Sequence, residues 1–135
     1  MHMLLDELSM EEKKAFWNIA NVLASVDGRV LEEESILQQY NEEMGVNFAF
    51  IDASAVDIKK ELDSVKASSL RSRRIMYFEL FGVAYADTEF DANEQNVLNE
   101  VAKELEITDD VRETLESSVK NIFDTYKKLG EVLNG

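Results

Sequence analysis

The chain has 135 residues, of which 45% are hydrophobic. This length and this apolar share are sufficient for one globular domain with a buried core, and they argue against intrinsic disorder. The 28 acidic and 14 basic side chains give a net charge of -14, which repels phosphate backbones and anionic membranes. Nucleic acid is therefore not an expected partner. An acidic composition also serves solubility alone, so the charge does not by itself establish a cation site.

The side-chain inventory excludes several kinds of chemistry. There is no cysteine, so disulfides, zinc–thiolate sites and cysteine nucleophiles are impossible. The single histidine, His2, lies at the start of the chain, and no glycine-rich phosphate loop is present. Paired carboxylates could support acid–base chemistry, but nothing marks a substrate pocket. A non-enzymatic protein is the expectation.

No segment of the sequence resembles a signal peptide or a membrane span. The first residues lack a basic stretch followed by an apolar one, and no apolar run approaches the length of a spanning helix. The sequence therefore predicts a cytoplasmic protein with no direct membrane insertion.

Capping signals and apolar periodicity predict an all-α protein. The absence of proline and the scarcity of glycine leave long uninterrupted stretches, which favour helices. In chain order we expect a first helix from Ser9 to Asp27–Gly28, a second over Glu32–Glu43 that is stopped by Gly45, and a third that is opened by Ser54–Asp57 and runs to about Lys66. A fourth helix is opened by Ser69, a fifth is capped by Asp91 and ends near Glu106, and the last is capped by Thr108. The helix after Ser69 is apolar nearly all round and should be central, with Gly82 marking close approach of a neighbour. No linker divides the chain, so residues 1–135 are predicted to form a single helical-bundle domain of about six to seven helices.

The apolar segment 46–51 is too short to be assigned by periodicity. We interpret it as a loop packed on the core, with an exposed partner-binding patch as the alternative.

An offset of about 60 residues aligns the chain with itself. Residues 24–34 fall on residues 84–94, so that alanine, aspartate, a large apolar residue and glutamate recur in register. The bare spacing from aspartate to glutamate is weak in so acidic a chain, but the apolar flanks also coincide. The sequence therefore predicts two pseudo-repeated helix–loop–helix units that share a core.

Each unit contains a carboxylate where helix electrostatics disfavour it. Asp27 and Asp87 follow the C-terminal ends of helices, where the macrodipole opposes negative charge, whereas Glu34 and Glu94 lie near the N-terminal ends of the next helices. If the units pack around a pseudo-twofold axis, these four residues could converge as a metal site. Oxygen-only ligands suit a hard divalent cation such as calcium, magnesium or manganese.

A structural explanation stays open beside the metal site. Glu94 is also explained as a capping-box residue paired with Asp91. The aspartates could equally be neutralised by a basic group, for which Arg71, Arg73 and Arg74 are candidates. The loops would then be salt-bridged or hydrated and would bind no metal. The spacing does not fit an EF-hand, because neither loop has the alternating oxygen ligands and central glycine of that motif.

These residues resemble the TerB family of tellurite-resistance-associated proteins, whose wider superfamily includes the N-terminal domain of DjlA-type membrane co-chaperones. The first copy of the family pattern matches residues 24–28 and Glu34, and the second matches residues 84–87 and Glu94. Thr88 replaces the second glycine, and Leu31 stands where a small polar residue usually caps. The resemblance implies an all-helical fold, an acidic surface that holds divalent metal, and a role in stress-response or membrane-associated complexes.

The expected function is thus a cation-binding module that serves as a stress-response or complex-forming scaffold. The alternative is a purely structural interaction domain without metal, acting on a protein partner or as a homodimer. No cofactor other than the divalent cation is expected.

Overall fold

The computed structural model describes residues 3–25, 30–86 and 92–135, and for residues 3 and 30–36 it describes the backbone alone. The described residues form seven α-helices and one short 3₁₀ turn, without strands. The helices are α1 (Met3–Asp6), α2 (Met10–Ser25), α3 (Val30–Met44), α4 (Ile58–Val65), α5 (Leu70–Tyr85), α6 (Ala92–Glu104) and α7 (Asp109–Leu133), and the 3₁₀ turn is Ala53–Ala55. The predicted all-helical class and the predicted number of helices are confirmed.

Two predicted N-terminal caps are present with their hydrogen bonds. The Ser9 amide donates to Glu12 Oε1 at 2.7 Å, and the Glu12 amide donates to Ser9 Oγ at 3.2 Å. At α5 the Ser72 amide donates to Ser69 Oγ at 3.1 Å. Both caps satisfy amides that have no partner within their helix. Thr108 stands at the N-cap position of α7, but its side chain makes no capping bond.

The predicted start of α4 was wrong. Ser54 lies in the 3₁₀ turn, and the helix begins four residues later with Asp57 as its cap, bonded to the Lys60 amide at 3.3 Å. Two capping residues of similar strength compete here, and Asp52 takes the first by accepting from the Ser54 amide at 3.0 Å. The first turn therefore closes as a separate element.

The C-terminal ends of α3 and α6 share one geometry. Gly45 has φ 69°, and the Val46 amide reaches back to the Asn41 carbonyl at 3.1 Å. Glu106 has φ 57°, with the Ile107 amide on the Ala102 carbonyl at 2.8 Å. Both follow the Schellman pattern, which glycine adopts without strain and glutamate does not. Gly45 confirms the predicted stop of α3.

α2 and α5 form the centre of the bundle. α2 packs against α3, α4 and α5, and α5 packs in addition against α6 and α7. The buried apolar residues form one cluster, whose largest members are Trp17, Tyr77, Phe16, Leu5, Ile19, Met44, Leu62, Met76, Leu80, Leu98 and Leu105. The central position predicted for α5 is confirmed. A Cβ added at Gly82 would lie 3.7 Å from the Tyr40 hydroxyl of α3, so a neighbouring helix does approach this glycine.

Segment 46–51 packs against α2, as the loop interpretation predicted. The indole Nε1 of Trp17 donates to the Ala49 carbonyl at 2.8 Å, and the Ile51 amide donates to Asn21 Oδ1 at 3.3 Å. The Trp17 ring contacts Phe48 and Phe50, with centroids 6.1 and 5.7 Å away. Phe50 is 47% exposed, so the segment covers α2 while one ring reaches solvent.

A polar cluster ties α7 to α5 and α6. Arg112 Nε lies 2.8 Å from the Tyr77 hydroxyl and 2.9 Å from Glu116 Oε2, and its Nη2 donates to Asn99 Oδ1 at 2.7 Å. Burial, followed by the hydrogen bond to Glu116, raises the pKa of Tyr77 above its usual range. The hydroxyl therefore stays protonated and donates to Glu116. This cluster fixes the first two turns of α7.

The second half of α7 leaves the core. Val111, Leu115 and Val119 pack on the bundle, and Val119 is the one buried residue of this helix. Beyond it, large apolar side chains of the helix are exposed: Phe123 at 37%, Tyr126 at 63%, Leu129 at 49%, Val132 at 77% and Leu133 at 74%. We call these five residues the α7 apolar face. None of the helices in the described ranges combines the length and hydropathy that crossing a membrane requires.

Candidate functional site

Two interhelical connections contain the two aspartates among the predicted metal ligands. α2 ends at Ser25 and α3 begins at Val30, while α5 ends at Tyr85 and α6 begins at Ala92. Helices therefore flank both aspartate positions, as the sequence predicted. Asp27 and Asp87 lie outside the described residues, and of Glu34 only the backbone, in α3, is described. The convergence of the four carboxylates, and the repeat that would produce it, stay predictions.

Glu94 is the one predicted ligand whose side chain is described. It is the third residue of α6 and is 1% exposed. The N-terminal end of a helix favours a carboxylate, but a capping-box glutamate need not be buried to serve that role. A carboxylate removed from water must be balanced by hydrogen bonds or positive charge. The buried Glu94 side chain therefore places a carboxylate inside the bundle at the start of α6.

The arginines that could have neutralised Asp87 lie at the wrong end of α5. Arg71 binds Glu7 through two nitrogens at 2.8 and 2.9 Å. Arg73 donates to the Ser68 and Leu105 carbonyls at 3.1 and 2.9 Å. Even Arg74 precedes Tyr85 by eleven residues, which is about 16 Å along a helix. These three side chains therefore do not serve the loop that follows α5.

A lysine is better placed for that role. Lys120 Nζ lies over the Phe81 ring, 5.9 Å from its centroid, and Phe81 is one turn from the end of α5. Lys120 is therefore nearer to the C-terminal end of α5 than the three arginines are. A lysine-neutralised loop is thus the structural alternative to a bound cation.

The remaining described side chains offer no ready-made metal centre. No group of three or more histidine, aspartate or glutamate residues lies close enough to hold a metal ion within the part of the chain that is described. This statement does not cover the four predicted metal ligands, because three of their side chains lie outside the described part.

A second polar site, between α3, α5 and α7, was missed at the sequence level. It is a cavity of about 320 Å³ whose polar residues include Tyr40, Glu43 and Glu79. Glu79 is 8% exposed, and no hydrogen bond or ion pair to it is found among the described residues. Burial and then the charge of Glu43 raise the pKa of Glu79 to about 7, while the positive charge of the chain terminus acts in the opposite direction. We call this site the Glu79 cavity.

One signal for the cavity was present in the sequence. Glu79 is the one charged residue in the otherwise apolar or aromatic run from Ile75 to Ala84. A charge inside a helix predicted to be buried all round indicates either a paired or a functional group. The partners could not be predicted, because Tyr40 and Glu43 belong to another helix.

These observations define a small, all-helical, strongly acidic domain in which helix–loop–helix connections carry carboxylates. The sequence model of the tellurite resistance protein TerB family matches residues 30–117. The chain therefore belongs to the TerB family. The match includes the positions of Glu34, Asp87 and Glu94 and begins three residues after Asp27. No curated protein and no solved structure gives a significant match.

Proposed function

We propose that this TerB-family domain is a non-enzymatic module that binds a divalent cation through Asp27, Glu34, Asp87 and Glu94 and serves as a cytoplasmic scaffold in stress-response complexes. The burial of Glu94 at the start of α6 carries the proposal. By sequence, Asp87 follows the C-terminal end of α5, where negative charge is disfavoured, and a cation shared with the Glu94 carboxylate would balance it. The arginines of α5 lie at least about 16 Å from that end along the helix.

The donor set fits a hard cation. Four carboxylates supply oxygen ligands only, which suits calcium, magnesium or manganese and disfavours metals that prefer nitrogen or sulfur. Membership of the TerB family supports the same assignment, because the matched region contains three of the four residues. The scaffold role is supported by the α7 apolar face.

The metal proposal predicts ion-specific stabilisation. After treatment with chelator, the melting temperature is measured against calcium, magnesium, manganese and zinc. A cation at about one hundred times its dissociation constant adds about 2.7 kcal/mol to the free energy of unfolding. For a chain of this size that corresponds to roughly 10 °C. The variant Asp27→Asn, Asp87→Asn is expected to lose this gain.

A matched control is available at the start of α7. Asp109 and Asp110 are acidic residues of its first turn, so Asp109→Asn, Asp110→Asn makes the same change in net charge away from the loops. It should keep the cation response. A weak and equal response to all four ions, or an unchanged response in the Asp27, Asp87 variant, would contradict the proposal.

The second candidate is an interaction domain without metal, formed by two copies of the chain. It is favoured by the α7 apolar face, since a concentration of exposed apolar side chains on one helix is typical of interfaces. We expect light scattering to show a dimer that Leu129→Lys converts to a monomer, with or without chelator. The control Lys128→Leu changes the neighbouring side of the helix and should leave the mass unchanged. A monomeric wild-type chain at all concentrations would contradict this candidate.

A further inference from the structure

The Glu79 cavity combines an apolar wall with buried negative charge. Its apolar surface includes Phe78 of α5 with Ile122 and Phe123 of α7, while Glu43 and Tyr40 come from α3. The volume of about 320 Å³ lies at the lower end of the range for small-molecule pockets. A ligand that fits it must therefore be small and largely apolar.

The polar groups select the charge of that ligand. The Glu79 carboxylate is more than nine-tenths buried and lines the cavity. Among the described residues it has no hydrogen bond or ion pair, and the positive charge of the chain terminus offsets the effects of burial and of Glu43 only in part. Glu43 lines the same cavity, so a second acid adds to the negative potential. Burial, Glu79 and Glu43 all raise the pKa of Tyr40, so the hydroxyl remains neutral. An anion would be repelled, and a neutral molecule would balance the charge of the buried carboxylate less well than a cation would.

A metal ion fits this arrangement less well than an organic cation. Hard metals take six to eight oxygen ligands, chiefly carboxylates, carbonyls and water, whereas the side chains of the cavity offer two carboxylates, one amide and two phenols among aromatic and aliphatic walls. An ammonium group needs fewer acceptors, since its three N–H donors can be divided between carboxylates, hydroxyl and water. Its hydrocarbon body would cover the apolar wall, and aromatic rings stabilise ammonium groups further.

We propose that the Glu79 cavity is a binding site for a small hydrophobic amine, with the ammonium group against Glu79 and Glu43 and the hydrocarbon body against Phe78, Ile122 and Phe123. The net charge of -14 assists by attracting cations to the domain. The Glu79 cavity shares no residue with the proposed metal site, and neither proposal depends on the other.

The test uses three probes of nearly equal shape and different charge. 2-Phenylethylamine carries the ammonium group, 2-phenylethanol is its neutral counterpart, and 3-phenylpropionate is the anion. Binding to the full chain is followed by calorimetry and by amide chemical shifts, in phosphate buffer because Tris is itself an organic ammonium ion. We expect the amine to bind at least about tenfold more tightly than the alcohol, with shifts concentrated around Gly82 and Ile122, and the anion to be excluded.

Two variants distinguish the effect of the Glu79 carboxylate on binding from the effect of the net charge of the protein. Glu79→Gln keeps the size of the side chain and should weaken amine binding by about tenfold or more without affecting the alcohol. Glu113→Gln removes one charge from an exposed position of α7 and should leave both unchanged. Circular dichroism verifies that each variant is folded.

The pH dependence of amine binding provides an independent measurement. The amine stays protonated between about pH 6 and pH 8, since alkylamines titrate near the range of lysine. Glu79 has a pKa of about 7, lines the cavity with Glu43, Tyr40 and Tyr126, and is also affected by the positive charge of the chain terminus. Because Glu79 loses its proton over this interval, the wild-type affinity should rise with pH. The Glu79→Gln variant should show no such rise. Equal affinity for amine and alcohol, unchanged amine binding in Glu79→Gln, or no binding of the amine up to about 10 mM would each overturn the proposal.

Discussion

Trp17→Ala should lower the free energy of unfolding by about 3 to 5 kcal/mol, the range for removing a large aromatic side chain from a core. Trp17 is fully buried, its indole N–H bonds to the Ala49 carbonyl, and its ring contacts Phe48 and Phe50. The substitution therefore removes apolar burial in α2 and the anchor of segment 46–51 together. Urea denaturation followed by far-ultraviolet circular dichroism measures the effect without depending on indole fluorescence.

Trp17→Phe serves as the control that distinguishes apolar burial in the core from the hydrogen bond to segment 46–51. It keeps an aromatic ring in the core but removes the donor to Ala49, and we expect a loss of about 1 to 3 kcal/mol. In Trp17→Ala, limited proteolysis should cut first within residues 46–51. A loss below about 1 kcal/mol for Trp17→Ala, or cleavage confined to other segments, would show that this ring does not hold the segment in place.

Glu79→Gln should stabilise the protein above neutral pH. The pKa of Glu79 is about 7 in the folded chain against 4.5 for an ordinary glutamate, so the folded state binds this proton more tightly than the unfolded state does. The stabilisation from the bound proton is present below pH 4.5 and is lost as the pH rises through 7. The gap between these two pKa values corresponds to about 3 kcal/mol.

Glutamine cannot ionise, so the variant avoids this loss. We expect the variant and the wild type to have similar unfolding free energies near pH 4.5, and the variant to be more stable by about 3 kcal/mol near pH 8. Chemical denaturation at several pH values, in a buffer without amines, measures this difference. Glu113→Gln corrects for the change in net charge. A variant of equal or lower stability near pH 8 would show that Glu79 is not destabilised by ionisation.

The local parts of the fold were predictable from sequence because their causes are local. The caps at Ser9 and Ser69 and the stop at Gly45 each depend on residues within one or two turns. The start of α4 was misplaced for the same reason, since Asp52 and Asp57 supply two competing local caps. Where neighbouring signals agreed, the element boundaries were nearly correct.

The candidate sites were predictable only in part because they depend on contacts between distant residues. Arg71 was available in the sequence to neutralise an aspartate, yet it binds Glu7, 64 residues away. Glu79 was visible as an isolated charge, but its surroundings come from α3 and α7. Membership of the TerB family agrees with the resemblance drawn from the repeated aspartates and glutamates. That those four carboxylates share one cation stays a prediction, which the melting experiment tests.

The α7 apolar face also has a consequence for how stability is distributed along the chain. After Val119 the helix continues for fourteen residues to Leu133, and its last turns are held chiefly by hydrogen bonds within the helix. Isolated helices of this length are marginal in water, so these turns should open and close far more readily than the bundle. Their amides would report that opening through rapid hydrogen exchange, and any surface that covered the apolar side would slow the exchange. A partner that covers the α7 apolar face would therefore also stabilise the helical conformation of these last turns.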